Sequence, residues 1–123
     1  MISKPTPVDN TGGPTSAIGN CSLFISDESG ETATVSVVGE VDLSSAPQVF
    51  AMMWRTSLNG KRSLILNLED LDFLDSSGLQ ALLRLREKLR SRRQTVFLTQ
   101  VKPQIRKLLR LTGFEQLFLD SSE

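Results

Sequence analysis

The 123-residue sequence has no histidine and no tyrosine. Without histidine there is no Ser-His-Asp or Cys-His catalysis and no histidine-ligated metal. The usual titrating group near neutral pH is missing too. One cysteine, Cys21, excludes an intramolecular disulfide and a cysteine-based zinc cluster; it reads as a small packing residue. No apolar run is long enough to span a bilayer. No basic segment leads into an apolar one near the N-terminus, so no signal peptide is read there. The acids Glu69, Asp70, Asp72 and Asp75 lack the regular ligand spacing of a calcium loop and read as a solvated acidic loop. Chemistry would have to rest on carboxylates, lysines or serines, with Asp42 or Asp75 as the candidate base. The expectation is a non-enzymatic protein with no cofactor and no metal.

What is present fits one ordinary soluble domain, 39% hydrophobic and 23% charged. A cytoplasmic protein without a membrane partner is expected. The net charge is zero but uneven: residues 1–60 carry two basic and six acidic side chains, residues 61–123 twelve and eight. Six of the basic residues lie between Arg84 and Arg93, with Glu87 the sole acid among them. Such a helix is either a solvated face or a contact for nucleic acid or an acidic partner. No aromatic platform or recognised motif accompanies the charge, so direct nucleic-acid binding is not expected.

Residues 1–19 are rich in Pro, Gly, Ser, Thr and Asn and read as a disordered tail, leaving a single domain at 20–123. Leu23-Phe24-Ile25 predicts a short strand, residues 27–31 a turn, and the β-branched run Thr32 to Val38 its hairpin partner. After Gly39-Glu40-Val41-Asp42, the Ser45-Ala46-Pro47 sequence starts a helix to about Leu58. Val49, Met52, Met53 and Leu58 are its inward candidates, and Asn59-Gly60 its stop. Trp54 reads either as a packing residue or as a partly exposed contact. Ser63 to Leu68 is a strand apolar enough to be central. The next helix turns Leu79, Leu82, Leu83, Leu85 and Leu89 inward and Gln80, Arg84, Glu87, Lys88 and Ser91 outward. Thr95 to Leu98 is a strand. Lys102-Pro103 starts a helix with the stripe Ile105, Leu108, Leu109 and Leu111, stopped by Gly113, and Phe114 to Leu119 predicts a last strand. The order β, β, α, β, α, β, α, β predicts an α/β fold: an opening hairpin in a mixed sheet, with helices packed on it.

The chain is organised around Asp72-Phe73-Leu74-Asp75-Ser76-Ser77-Gly78, read as a strand end, a tight loop and a helix start. A helix N-terminus offers unpaired N–H groups and the positive end of the dipole. The spacing Ser77-x-x-Gln80 fits a capping box with Ser77 as N-cap, which would leave Ser76 as the freer hydroxyl. The plain alternative is that both serines are ordinary helix-start residues. Sites in such sheets form at the carboxyl ends of strands, where both Asp42 and Asp75-Ser76 fall.

Gly39-Glu40-Val41-Asp42, Leu66-Asn67-Leu68, Asp72 to Leu79, and Leu111-Thr112-Gly113-Phe114 together resemble the bacterial anti-sigma factor antagonists, the stand-alone STAS proteins. The resemblance runs from Leu23 to Leu119. It implies a switch that, unphosphorylated, binds an anti-sigma factor that is often also a serine kinase, and so frees a sigma factor. Phosphorylation breaks that complex and a phosphatase restores it. By the same resemblance the acceptor is Ser76, with Ser77 the alternative. The partner surface comprises Asp42 and Ser44 from one motif and Asp75, Ser76, Ser77, Gly78 and Gln80 from the other. A monomer is expected. Family members often add a helix after the last strand, and Asp120 to Glu123 resembles only the start of one. The competing role for this fold is a non-catalytic accessory subunit of a transport ATPase or stress-signalling assembly.

Overall fold

The alternation of small and β-branched residues from Thr32 onward builds the strand around which the sheet assembles. The computed structural model describes residues 16–18, 20–57 and 62–118. Its elements are β1 (Ser16–Ile18), β2 (Cys21–Ser29), β3 (Thr32–Val41), α1 (Ala46–Ser57), β4 (Ser63–Asn67), β5 (Leu71–Leu74), α2 (Ser76–Arg90), β6 (Thr95–Thr99), α3 (Pro103–Thr112) and α4 (Glu115–Phe118). The sheet order is β1-β2-β3-β4-β6, with β5 also on β3. The β1/β2 and β2/β3 pairs are antiparallel, and the pairs of β3 with β4, β3 with β5 and β4 with β6 are parallel. The expected mixed sheet with its opening hairpin is present.

Strand β4 lies along Thr32–Ser36 and β5 along Gly39–Val41, so the two serve successive halves of β3. The Gly39 N–H donates to the Asp70 carbonyl at 3.0 Å, while the Glu40 N–H donates the other way, to the Asn20 carbonyl, also at 3.0 Å. Gly39 has φ +109°, and a Cβ there would run into the Asn20 backbone. Only glycine fits that approach.

Alternate residues of β4 and β6 enter the core. Leu23, Val35, Val37, Leu64, Leu66, Val96 and Leu98 are buried beneath Val49, Met52 and Met53 of α1 and Leu79, Leu82, Leu85 and Leu89 of α2. Ile105, Leu109 and Phe118 complete this cluster. Burial at this level stabilises each large side chain by about 1.5–3 kcal/mol. Cys21 is fully buried, and burial pushes its thiol up to about 11.

Four expectations need correction. Phe114 to Leu119 was expected as a strand, but Glu115–Phe118 is a helical turn. Phe114 is partly buried and Phe118 fully so, while Leu117 is 37% exposed, an i, i+4 burial pattern that period-2 reading misses. The α3 stripe is narrower than expected: Ile105 and Leu109 are buried, but Leu111 is 76% exposed. The acidic loop after β4 contains a strand, β5, whose Leu71 and Leu74 are buried while Asp72 and Phe73 face out. Ser16–Ile18 forms a strand inside the stretch expected as tail, and the first hairpin strand extends to Cys21–Ser29. Residues 1–15, the proposed helix stop Asn59-Gly60, Leu58 and the terminal Asp120 to Glu123 lie outside the described residues.

Candidate functional site

Strands β3 and β5 end side by side. Val41 is the register partner of Leu74, and the Asp75 N–H donates to the Val41 carbonyl at 3.3 Å. The next residues, Asp42 and Asp75, therefore leave neighbouring parallel strands at one level. The expectation that Asp42 and Asp75-Ser76 both fall at carboxyl ends of strands matches this register.

Each aspartate stands in the segment that leads into a helix. Asp75 is the N-cap of α2: its Oδ1 accepts the Gly78 N–H at 2.9 Å, and its carbonyl accepts the Leu79 N–H at 2.9 Å. This overturns the capping box expected from Ser77 and Gln80. A carboxylate one residue before the serines is the better acceptor for an N–H at the positive helix end. Ser76 is then N1 and Ser77 N2. Exposure separates them: Ser76 is exposed, Ser77 half-buried. Gln80 is exposed one turn further on.

Gly78 sets how closely α2 begins against the sheet. A Cβ there would strike Leu74 Cδ1 and lie 3.0 Å from Val41 Cγ1 and 3.1 Å from the Val41 carbonyl oxygen. The glycine of the motif thus has a packing reason. It lets the helix N-terminus, and with it Ser76, rest on the ends of β3 and β5.

Asp42 organises the turn into α1. Its Oδ1 accepts from the Ser44 hydroxyl at 2.8 Å, the Ser44 N–H at 3.1 Å and the Ser45 hydroxyl at 3.2 Å. Its own N–H donates to Ser45 Oγ at 3.2 Å, and its carbonyl accepts the Ser45 and Ala46 N–H groups. The Ser44 hydroxyl is the main cause holding the Asp42 carboxyl below its usual range; the Ser45 hydroxyl and the turn N–H groups add to this against a desolvation effect. Asp42 is thereby an anion fixed in place by its own turn.

Between this turn and α2 lies a groove of about 170 Å³ lined by Leu43, Ala46, Pro47, Ser77, Gln80, Ala81 and Arg84. Leu43 is 76% exposed and Phe73, on the adjacent β5, 46%. Sequence reasoning missed both as surface residues. Their signal was a large apolar side chain directly after an aspartate near a strand end, which reads equally as core. No group of three or more His, Cys, Asp or Glu residues suited to a metal occurs among the described residues, and no described helix is long and apolar enough to cross a membrane.

The arrangement offers an exposed hydroxyl at a helix N-terminus, two aspartates beside it and an apolar-lined groove. The Asp75 Oδ1 accepts from the Gly78 N–H, and the Asp42 Oδ1 from the Ser44 and Ser45 hydroxyls.

Comparison with known proteins gives consistent results. The family model described as STAS domain matches residues 25–123. A STAS-domain containing protein of Pseudomonas aeruginosa is 32% identical over 89 residues, covering 72% of this chain and 87% of that one. The anti-sigma-B factor antagonist of Staphylococcus aureus is 26% identical over 83 residues, covering 68% and 77%. Among solved structures, the Bacillus cell fate determinant SpoIIAA in its phosphorylated form superposes with a TM-score of 0.61 at 25% identity, covering 83% of this chain and 93% of that one.

Proposed function

The chain belongs to the STAS domain family, and we propose that it works as an anti-sigma factor antagonist switched by phosphorylation of Ser76. Unphosphorylated, it binds an anti-sigma factor that is also a serine kinase and so releases a sigma factor. The kinase phosphorylates Ser76 and the complex separates; a phosphatase resets it. The chain itself catalyses nothing in this cycle and acts in the cytoplasm. Relatives named anti-sigma factor antagonists support the general role, and the solved relative in a phosphorylated form supports the switch. The observation that carries the assignment to Ser76 is its exposure at N1 of α2, on the surface shared with Asp42 and the groove.

Electrostatics explain how one phosphate acts on the complex while sparing the fold. It adds roughly −1.5 to −2 charges. At the α2 N-terminus the helix dipole offsets this by about 0.3–1 kcal/mol. Asp42, Asp75 and the exposed Glu40 repel it. Against a partner fitted to this surface, a buried like-charge contact costs several kcal/mol, and ~3 kcal/mol is already more than a hundredfold in affinity. The switch is therefore a charge and steric block on a preformed surface, and α2 stays folded in the phosphorylated state.

The test is retention of the partner. Tagged wild-type, Ser76→Ala and Ser76→Glu chains are expressed in the source cells, and retained proteins are identified by mass spectrometry. The Ser76→Ala chain retains an ATP-binding anti-sigma factor and the Ser76→Glu chain loses it. Equal retention by both variants refutes the reading.

A further inference from the structure

The cations of α2 and of the turn after it fall into two sets. Arg86 and Arg90 lie 3.7 and 3.9 Å from Glu87. Arg84, Lys88 and Arg92 instead lie over the aromatic rings of α1: Arg84 Cζ is 4.4 Å from the Phe50 ring centre, and Lys88 Nζ and Arg92 Cζ are 5.4 and 5.3 Å from the Trp54 ring. Among the described residues none of these three is in an ion pair with a carboxylate. The i, i+4 spacing puts Arg84 and Lys88 on one face of α2, and Arg92, in the turn just after α2, extends the row past its C-terminal end. Arg84 also lines the groove beside Ser77 and Gln80. The same face therefore runs from the groove to the C-terminal end of α2.

A ring beneath a cation restrains the side chain and leaves its outward N–H groups for a further acceptor. An arginine stacked by one face keeps its in-plane N–H fork, which suits a carboxylate. We propose that Arg84, Lys88 and Arg92, seated on Phe50 and Trp54, form a docking stripe for an acidic segment of the protein partner, continuous with the Ser76 surface. The proposal rests on the partner-switching reading and gives that partner a chemistry: carboxylates along the stripe.

Charge layout selects a polypeptide over nucleic acid. The end of the surface at Ser76 carries Asp42 and Asp75, with Glu40 exposed on β3, while the cations run from Arg84 at the groove away from it to Arg92 past the end of α2. A uniformly anionic duplex is repelled by the first half and attracted by the second. A folded partner with charges in the opposite order meets both.

Trp54 is the only tryptophan of the chain, so its fluorescence reports occupancy of the stripe. The probes are a short glutamate-rich peptide, a DNA duplex of matched charge and phosphatidylglycerol vesicles. The peptide is expected to perturb Trp54 emission with a salt-dependent affinity. That affinity falls at least about tenfold in Arg84→Glu/Lys88→Glu/Arg92→Glu and stays within about twofold in the α3 control Lys107→Glu/Arg110→Glu. The single exposed Lys88→Glu change keeps the test open should the triple variant fold poorly, and is expected to weaken the peptide measurably. No Trp54 response, equal loss in the control, or tighter binding of DNA or vesicles than of peptide overturns the proposal. In the retention experiment, Lys88→Glu in the Ser76→Ala background lowers the retained partner; unchanged retention also overturns the stripe. If Ser76→Ala retains nothing, the partner-switching reading fails, while the peptide titration still decides the stripe.

Discussion

The Asp75 N–H donates to the Val41 carbonyl across 3.3 Å, and this contact ties the two motifs of the site together. It sets the start of α2 against the end of β3, so residues far apart in sequence share one surface. What happens at that junction is open to direct test.

Gly78→Ala is expected to destabilise the fold. Alanine is favoured over glycine in a helix by about 1 kcal/mol, so absence of a clash would raise stability. Here the new methyl meets Leu74 Cδ1 and the Val41 side chain and carbonyl, and overpacking costs about 1–3 kcal/mol. Urea denaturation should give a lower midpoint with an unchanged slope. A midpoint at or above wild type contradicts the packing role.

Asp75→Ala removes the α2 cap. The expected loss is about 1 kcal/mol, and Asp75→Asn, which still accepts from Gly78, should lose less. The comparison Ser77→Ala should cost little, because Ser77 is not the cap. A larger loss from Ser77→Ala than from Asp75→Ala would restore the serine capping box.

Acid should weaken the turn into α1. The folded-state pKa of Asp42 is lowered, chiefly by the Ser44 hydroxyl. Its contribution is thus fully present above the unfolded value of about 3.9 and is lost as pH falls through the folded value. Urea midpoints between neutral pH and about pH 3 should fall more steeply for wild type than for Asp42→Asn. Parallel profiles would show that the hydrogen bonds of Asp42 add no stability.

Cys21 should be inert in the native protein. It is fully buried with its thiol pushed up to about 11, so thiolate is scarce and access is closed. A thiol reagent at mildly alkaline pH should label it only as fast as the protein opens, and immediately in denaturant. Rapid native labelling would contradict its buried place at the start of β2.

Much of this was legible in the chain. The alternation at Thr32 to Val38 and the apolar run at Ser63 to Leu68 predict the two strands that carry the sheet, and the spacing Leu79, Leu82, Leu85, Leu89 predicts the buried side of α2. The proximity of Asp42 to Asp75 follows from strand ends in a parallel sheet. Three features were not legible, each for a physical reason. Ser77-x-x-Gln80 and Asp75-x-x-Gly78 are both reasonable helix starts, and only the backbone angles decide between them. Phe114 to Leu119 has apolar residues that satisfy either period over so short a span, and the burial of Phe118 decides for helix. The cations of α2 read as a solvated face because Phe50 and Trp54 stand on another helix, and their meeting is a tertiary event.

The central claim is that Ser76 is the switch. Its most direct test is phosphosite mapping by mass spectrometry on the protein isolated from its own cells, growing and stressed. The account predicts phosphate on Ser76 with an occupancy that differs between the two conditions. An unmodified Ser76 in both, or phosphate confined to Ser77 or Ser44, would contradict it.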